Sequence, residues 1–582
     1  MYHLRHFAPL LIVTILLLSG CQKDDPPVLV VIEHSEDILT DEVWQEGEHV
    51  VTSDIYVDGA TLTLKPGTVV RFQEGRGLYI GYHSGYSGAT LIAEGTEEKP
   101  ITFTSAAVSK TPGDWDYIGF YDGTSASSSM EWCIVEYGGG YNDNYGMIHV
   151  QETRVAIRNS MIRESEAHGI TLNSEGSFEA FSDNTLELNN LSAISIFGNH
   201  AHTIGSGNTI SGDKGIFVQG DRVERSSVTW LKQTVPYFIQ GDLYVGSETG
   251  TTLNIEPGTE LRVGNSRGIY IGYYSGTFGT LVAEGTAEEK ISFTSAAPVG
   301  AGSAGDWDII GFYDGAGNSS SLAYCDFAHG GGYSANFGMI HVSEATIALD
   351  HCTITASQTS GITLDNEAKF SSCTGNTFGD NNQFPMEIYG NFAHTIGSGN
   401  VFNTGLGILV EGDRVEQAEM TWLDQGVPYI IDGSIYLGSA SGAKLVLEAG
   451  TSLEFTEGSE LYVGYYSNTF GILVADGGGG DEITFTSSAP DGFEAPGDWD
   501  GIWFHDGASN GSVLDNCIIS FGGGYSSNSG NINVLNDATG IPVISGCRIM
   551  NSAKYGIYLG NNAAPTLSDN VFSGNASGDT NL

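Results

Sequence analysis

Positive charge is what this chain has least of. Its 582 residues carry 22 Lys+Arg against 70 Asp+Glu, a formal net charge of −48. Such a field repels nucleic acid and anionic membrane surfaces, and it repels an acidic polysaccharide unless a divalent cation bridges the two. Charged residues are nonetheless only 16% of the chain and hydrophobic ones 40%, which excludes a disordered acidic tail. Helical signal is missing too, since no segment holds a sustained 3.6-residue apolar repeat with caps. Beyond the N-terminal segment no apolar run is long enough to span a membrane. Proline is scarce at 15 while glycine reaches 81, so chain reversals fall to glycine turns between short strands. Neither Cys-x-x-Cys nor His-x-x-x-His spacing is there to suggest zinc.

What the chain has in abundance is self-similarity. Gly305-Asp306-Trp307-Asp308-Ile309-Ile310-Gly311-Phe312-Tyr313-Asp314-Gly315 has an earlier copy over 113–123 and a later one over 497–507. The tryptophans are spaced by 307 − 115 = 192 and 499 − 307 = 192, and Gly-Gly-Gly-Tyr, ending at Tyr141, Tyr333 and Tyr525, keeps that step. A register held so far means tandem duplication of one long unit. Trp44, Trp230 and Trp422 open the copies, giving units over 41–229, 230–421 and 422–582. The third reads as incomplete, because the segment from Ala201 to Asn208 recurs as Ala393 to Asn400 and not again.

Within a unit the pattern is short β-runs such as Thr252-Leu253-Asn254-Ile255, Gly268-Ile269-Tyr270-Ile271 and Met339-Ile340-His341-Val342, alternating apolar and polar residues. Short strands without crossover helices fit an all-β solenoid of parallel strands, each coil burying its inward face on its neighbours. An array of β-sandwiches would repeat near ~100 residues and fits this period poorly. The Gly-Asp-Trp…Ile-x-Phe and Cys-x-Ile/Phe stretches give the chain, over roughly residues 41–582, a layout that resembles right-handed parallel β-helix proteins of bacterial surfaces, the pectate-lyase-like β-helix superfamily. That resemblance implies a right-handed parallel β-helix built of three tandem units.

The N-terminus has a secretory layout: Arg5 in a weakly basic region, an apolar run from Pro9 to Leu18, then Leu18-Ser19-Gly20-Cys21. Those last four residues resemble a bacterial lipobox. The resemblance implies a signal peptide over 1–20, a lipid (palmitate among its acyl chains) on Cys21 as the new N-terminus, and a linker over 21–40. Gln22-Lys23-Asp24-Asp25 resembles the acidic surface-export tags of Bacteroidetes lipoproteins, which implies attachment to the outer membrane, facing the exterior. Pro26-Pro27 adds a stiff spacer.

Cys133, Cys325 and Cys517 keep the repeat step, but Cys352 is matched by Ser160 and Cys373 by Phe181. An obligate disulfide or metal framework repeated in every unit is therefore not expected. Small inward side chains explain the cysteines, and bridges between Cys325 and Cys352 or Cys517 and Cys547 stay open in an oxidising envelope.

Three constellations could carry chemistry. Asp114, Asp116 and Asp122, copied as Asp306, Asp308, Asp314 and as Asp498, Asp500, Asp506, could supply oxygen ligands to Ca²⁺, or could accept backbone N–H bonds at turns. Tyr82, Tyr86, Tyr121 and Tyr141, with Tyr274, Tyr313, Tyr333, Tyr466 and Tyr525, sit in glycine-rich turns. Such rings make adaptable contact surfaces suited to sugar faces and in three copies give avidity, or they cover their own coil ends. A catalytic site is the third, since the resemblance extends to pectin and alginate lyases and polygalacturonases. Their Asn-Thr-Asp, Asp-Asp and Gly-His-Gly signatures do not occur here as a set, and Arg222 and Arg414, the best basic candidates, are duplicated beside Asp221 and Asp413. The sequence thus points to a lipid-anchored surface protein for binding or adhesion, with a glycan partner and no nucleic acid. A polysaccharide lyase or glycoside hydrolase and a structural envelope scaffold are the alternatives.

Overall fold

The strands are short because each carries one or two inward apolar residues and then meets a turn. In Ile55–Val57, Leu78–Ile80 and Ile118–Phe120 the flanking residues point inward and are fully buried, while the middle residue points out. A computed structural model describes residues 31–478, 480–535 and 539–581. Cys21 and the expected signal and linker up to residue 30 lie outside the described residues. All the strand ladders run parallel, and successive strands of a sheet belong to successive coils. A coil is thus three strands, one in each of three sheets. For example, Leu78–Ile80 is followed by Thr90–Glu94 and Ile101–Ser105 before the chain returns to Ile118–Phe120.

The described residues divide into two compact units, one running to Gln219 with Leu231–Phe238, the other Gly220–Trp230 with Ile239 onward. In the first, Ile55, Leu78, Ile118, Ile148, Ile170, Ile194 and Ile216 stack in register as one inward column, all fully buried. The second repeats this construction, with Leu243, Ile269, Ile310, Ile340 and Ile362 in line.

The copied motifs are one packing device. Trp115, Trp307 and Trp499 are fully buried, and each indole N–H donates to a backbone carbonyl 21 residues on, at Glu136, Ala328 and Ser520. The first glycine of Gly-Gly-Gly-Tyr lies against that ring: a Cβ on Gly138 or Gly330 would stand 2.6 or 2.7 Å from the tryptophan Cε2. The second, Gly139, has φ +84° and would strike the Ser165 hydroxyl, and a Cβ on the third, Gly140, would lie 2.2 Å from the Gly113 carbonyl oxygen. Gly-Asp-Trp and Gly-Gly-Gly-Tyr therefore travel together because each fills the space the other leaves.

At the coil corners asparagine replaces the missing ladder bonds. Asn376 is fully buried; its Oδ1 accepts from the Cys352 N–H at 2.9 Å and its Nδ2 donates to the Leu349 carbonyl at 2.7 Å. Asn184 and Asn570 do the same for Ser160 and Cys547. The six described cysteines are buried free thiols. Cys325 and Cys352 neighbour one another, as do Cys517 and Cys547, but their thiols donate to backbone carbonyls and form no bridge.

Candidate functional site

The outward middle residues of the first sheet make a continuous column: Tyr56, Tyr79, Gly119, His149, Thr171, Ser195, Phe217. Parallel strands hold such positions ~4.8 Å apart, close to ring-stacking distance. Tyr56 and Tyr79 stack at 5.1 Å between centroids, and Tyr79 meets Tyr117 edge-on at 5.1 Å. Gly119 is glycine because the rings of Tyr117 and Tyr121 fold over it from both sides; a Cβ there would lie 2.9 Å from one and 2.7 Å from the other. Their hydroxyls bond to each other at 2.8 Å. The ladder then continues through Tyr145 to His149, 4.3 Å apart, with Tyr82 edge-on to Tyr121 and Tyr141 edge-on to Tyr117. Tyr79, Tyr117 and Tyr121 form the buried floor, while Tyr82 and Tyr141 are about half exposed as the rim.

Burial raises the phenol pKa of Tyr79, Tyr117 and Tyr121 well above the ordinary value, so all stay protonated hydroxyls. Burial lowers the His149 imidazole to about 4, leaving it neutral; its Nδ1 bonds the Thr171 hydroxyl at 2.8 Å. Below His149 the surface dips into a cavity of about 330 Å³ whose lining includes Thr171, Ser195 and Gln219.

The second compact unit holds two more ladders. One joins Tyr244, Tyr270, Tyr273, Tyr274 and Tyr313, with Tyr333, Phe337 and His341 stacked beyond. The other joins Tyr436, Tyr462, Tyr465, Tyr466, Trp503, His505 and Tyr525. Arg222 lies 4.0 Å over the Tyr274 ring and Arg414 4.2 Å over Tyr466, so one face of each of those tyrosines is covered. The guanidinium groups also reach Glu224 and Glu416, while the Asp413 carboxylate accepts the Arg414 backbone N–H.

Of the tyrosines singled out from sequence, Tyr82, Tyr121 and Tyr141 come together in the first ladder, Tyr274, Tyr313 and Tyr333 in the second, Tyr466 and Tyr525 in the third. Tyr86 is half exposed and packs beside Gly59, apart from the ring contacts. Sequence reading passed over the floor: Tyr56, Tyr79, Tyr117, Tyr244, Tyr270, Tyr436 and Tyr462. The signal was there. A tyrosine between two aliphatic residues of a three-residue strand, as in Ile55-Tyr56-Val57 or Leu78-Tyr79-Ile80, must face outward.

The aspartates are spread rather than gathered. Asp114 accepts the N–H and hydroxyl of Thr111, Asp306 those of Ser303 and Ser295, and Asp498 those of Ala495 and Ser487. Asp122 and Asp506 are exposed turn residues, and the exposed Asp314 opens a single 3-10 turn and accepts the Gly315 N–H. Burial first, and then Asp54, Asp242 or Glu460 nearby, raises Asp116, Asp308 and Asp500, the last to about 6. Among the described residues no three His, Cys, Asp or Glu side chains converge to hold a metal ion. Glu460, which accepts the Ser434 hydroxyl, is the carboxylate beside Asp500.

Residues 37–178 match the family model described as pectate-lyase like beta helix domain, and residues 434–580 match the one described as right handed beta helix region. No curated protein matches the chain. Ladders and matches together make this a right-handed parallel β-helix protein, similar over those two stretches to the pectate-lyase-like and right-handed β-helix families.

Proposed function

We propose that the chain is a lipid-anchored cell-surface protein that holds glycan chains on its tyrosine ladders. The observation that carries this is the first ladder, a run of rings from Tyr56 to His149 across four coils with Tyr82 and Tyr141 half exposed at its rim. Sugar rings present flat C–H faces and an equatorial fringe of hydroxyls. Fixed aromatic faces with protonated phenols answer both, at little entropic cost because the floor is already packed. The charge of −48 favours an uncharged glycan over a polyanion. Each ladder offers several ring contacts along one polymer, and Leu18-Ser19-Gly20-Cys21 supplies the anchor at the outer membrane.

The test is affinity electrophoresis of residues 22–582 in gels of neutral and acidic polysaccharides, with and without Ca²⁺, scoring retardation and released products. Retardation by a neutral polymer without products is expected, weakened at least several-fold by Tyr82→Ala with Tyr141→Ala. Retardation by an acidic polymer only with Ca²⁺ would instead give the aspartates a bridging role. Absence of retardation, or release of small products, would overturn the proposal.

A further inference from the structure

Two copies of the same surface diverge where the first unit has its cavity, whose Asp143, His168 and Phe197 are matched by Ala335, Ser360 and Tyr389. Down the outward column, His149 and Thr171 of the first unit are matched one repeat step on by His341 and Thr363. Below them Asn173, Ser195 and Gln219 give way to Asp365, Glu387 and Glu411. In the first unit these positions line the cavity of about 330 Å³, which is at the small end of the ~300–1,000 Å³ range of ligand pockets.

The lining is unusually even-handed. Gln219 Nε2 donates to the Ser195 hydroxyl at 2.9 Å, leaving its second N–H and its carbonyl oxygen for a guest. His168 accepts the Ser192 backbone N–H at Nδ1, so the neutral ring carries its proton on Nε2. Burial keeps that ring neutral, lowering it to about 4. Phe197 gives an apolar wall, Asp143 one exposed carboxylate at the mouth, and no lysine or arginine lines the cavity. Paired donors and acceptors beside an aromatic wall suit an uncharged ring dense in hydroxyls. A carboxylated ring would meet Asp143 at the mouth, while Lys214, whose charge reaches His168, lies outside the lining.

The matched place in the second unit is changed in kind. Glu387 takes the Ser360 hydroxyl, and burial together with Glu411 and Asp365 raises its pKa. Burial, with Asp432 and Asp365, raises Glu411 too. Donors have become acceptors that repel one another, so a sugar hydroxyl finds its own proton wanted and its oxygen unserved.

We infer that the cavity of the first unit is a subsite for one neutral sugar residue, and that Asp365, Glu387 and Glu411 abolish the same subsite in the second unit. The inference rests on the glycan-binding reading of the ladders. It makes the duplicated units unequal: the first fixes a sugar residue, the others only lend stacking surface.

The experiment titrates residues 22–582 with cellobiose, maltose and digalacturonate by ligand-observed NMR and calorimetry, alongside gel retardation by neutral polymers. At least one neutral disaccharide should bind at a single site and digalacturonate should not. Importing the second unit's three carboxylates with N173D/S195E/Q219E should weaken that binding at least tenfold. Asp143→Ala, a change on an exposed loop that leaves the coils alone, should relieve the exclusion of digalacturonate even if the triple variant fails to fold. The rim variant Y82A/Y141A should lose polymer retention but keep the disaccharide. Polymer retention with no disaccharide binding, disaccharide binding untouched by the triple change, or digalacturonate still excluded after Asp143→Ala would overturn the subsite and leave the ladders standing. Loss of both signals in the wild-type chain would bring down the ladder reading as well.

Discussion

Asn376 offers the sharpest test of how the coils keep register. Its side chain is fully buried, with Oδ1 accepting the Cys352 N–H and Nδ2 donating to Leu349 and, at 3.1 Å, to Asn400 Oδ1. Asn376→Ala removes the acceptor of a buried N–H and the donor to a buried carbonyl at once. With each orphaned group costing about 1–3 kcal/mol, offset in part by local relaxation, the coil corner should lose about 2–4 kcal/mol. Asn376→Asp keeps the shape and the Cys352 bond but turns the donor into an anionic oxygen facing two acceptors. It should cost more than the alanine at neutral pH. A solenoid opens locally, so global unfolding would blur the effect. Amide hydrogen exchange resolves it: Cys352 and its strand neighbours should exchange roughly 30- to 700-fold faster in the alanine variant, at tenfold per 1.4 kcal/mol. Protection within threefold of wild type, or an aspartate variant milder than the alanine, would refute the view that the asparagine column holds the corners.

Two further predictions follow from single contacts. Burial, and then Glu460 beside it, pushes Asp500 up to about 6, above the ~4 of a free carboxyl, so the folded state holds this proton more tightly than the unfolded chain. Its contribution is full below the unfolded value and lost as pH rises through about 6. Asp500→Asn should therefore gain on wild type in thermal midpoint between pH 4 and pH 7; a constant difference across that range would count against it. Gly119→Ala puts a Cβ within 3 Å of both Tyr117 and Tyr121, and overpacking of that kind costs about 1–3 kcal/mol. It should flatten the tyrosine near-ultraviolet dichroism and weaken polymer retardation together; retardation at wild-type strength would separate the ladder from binding.

The floor of the ladder shows where sequence reading ran short. Tyrosines in glycine-rich turns stand out in the sequence as adaptable contact rings, and Tyr82 and Tyr141 are on the rim. Tyr56 and Tyr79 lie in strands, and their role depends on which residues of other coils fall beside them, 23 residues on from Tyr56 to Tyr79 and 40 on from Tyr79 to Gly119, over which Tyr117 folds. The cavity was invisible for the same reason, since Asp143, Thr171, Ser195 and Gln219 come from four successive coils.

Sequence by itself determined the parallel solenoid and its repeat step, because alternation, glycine turns and a kept register are local facts that every copy repeats. It also set the charge that governs which polymers can approach. Tertiary structure alone decided that Gly138 exists to receive Trp115, that Arg222 caps one face of Tyr274, and that Asn173, Ser195 and Gln219, from three successive coils, line one cavity. Those outcomes depend on the stacking of coils, which brings residues two dozen positions apart to within a hydrogen bond, and no local pattern records that distance.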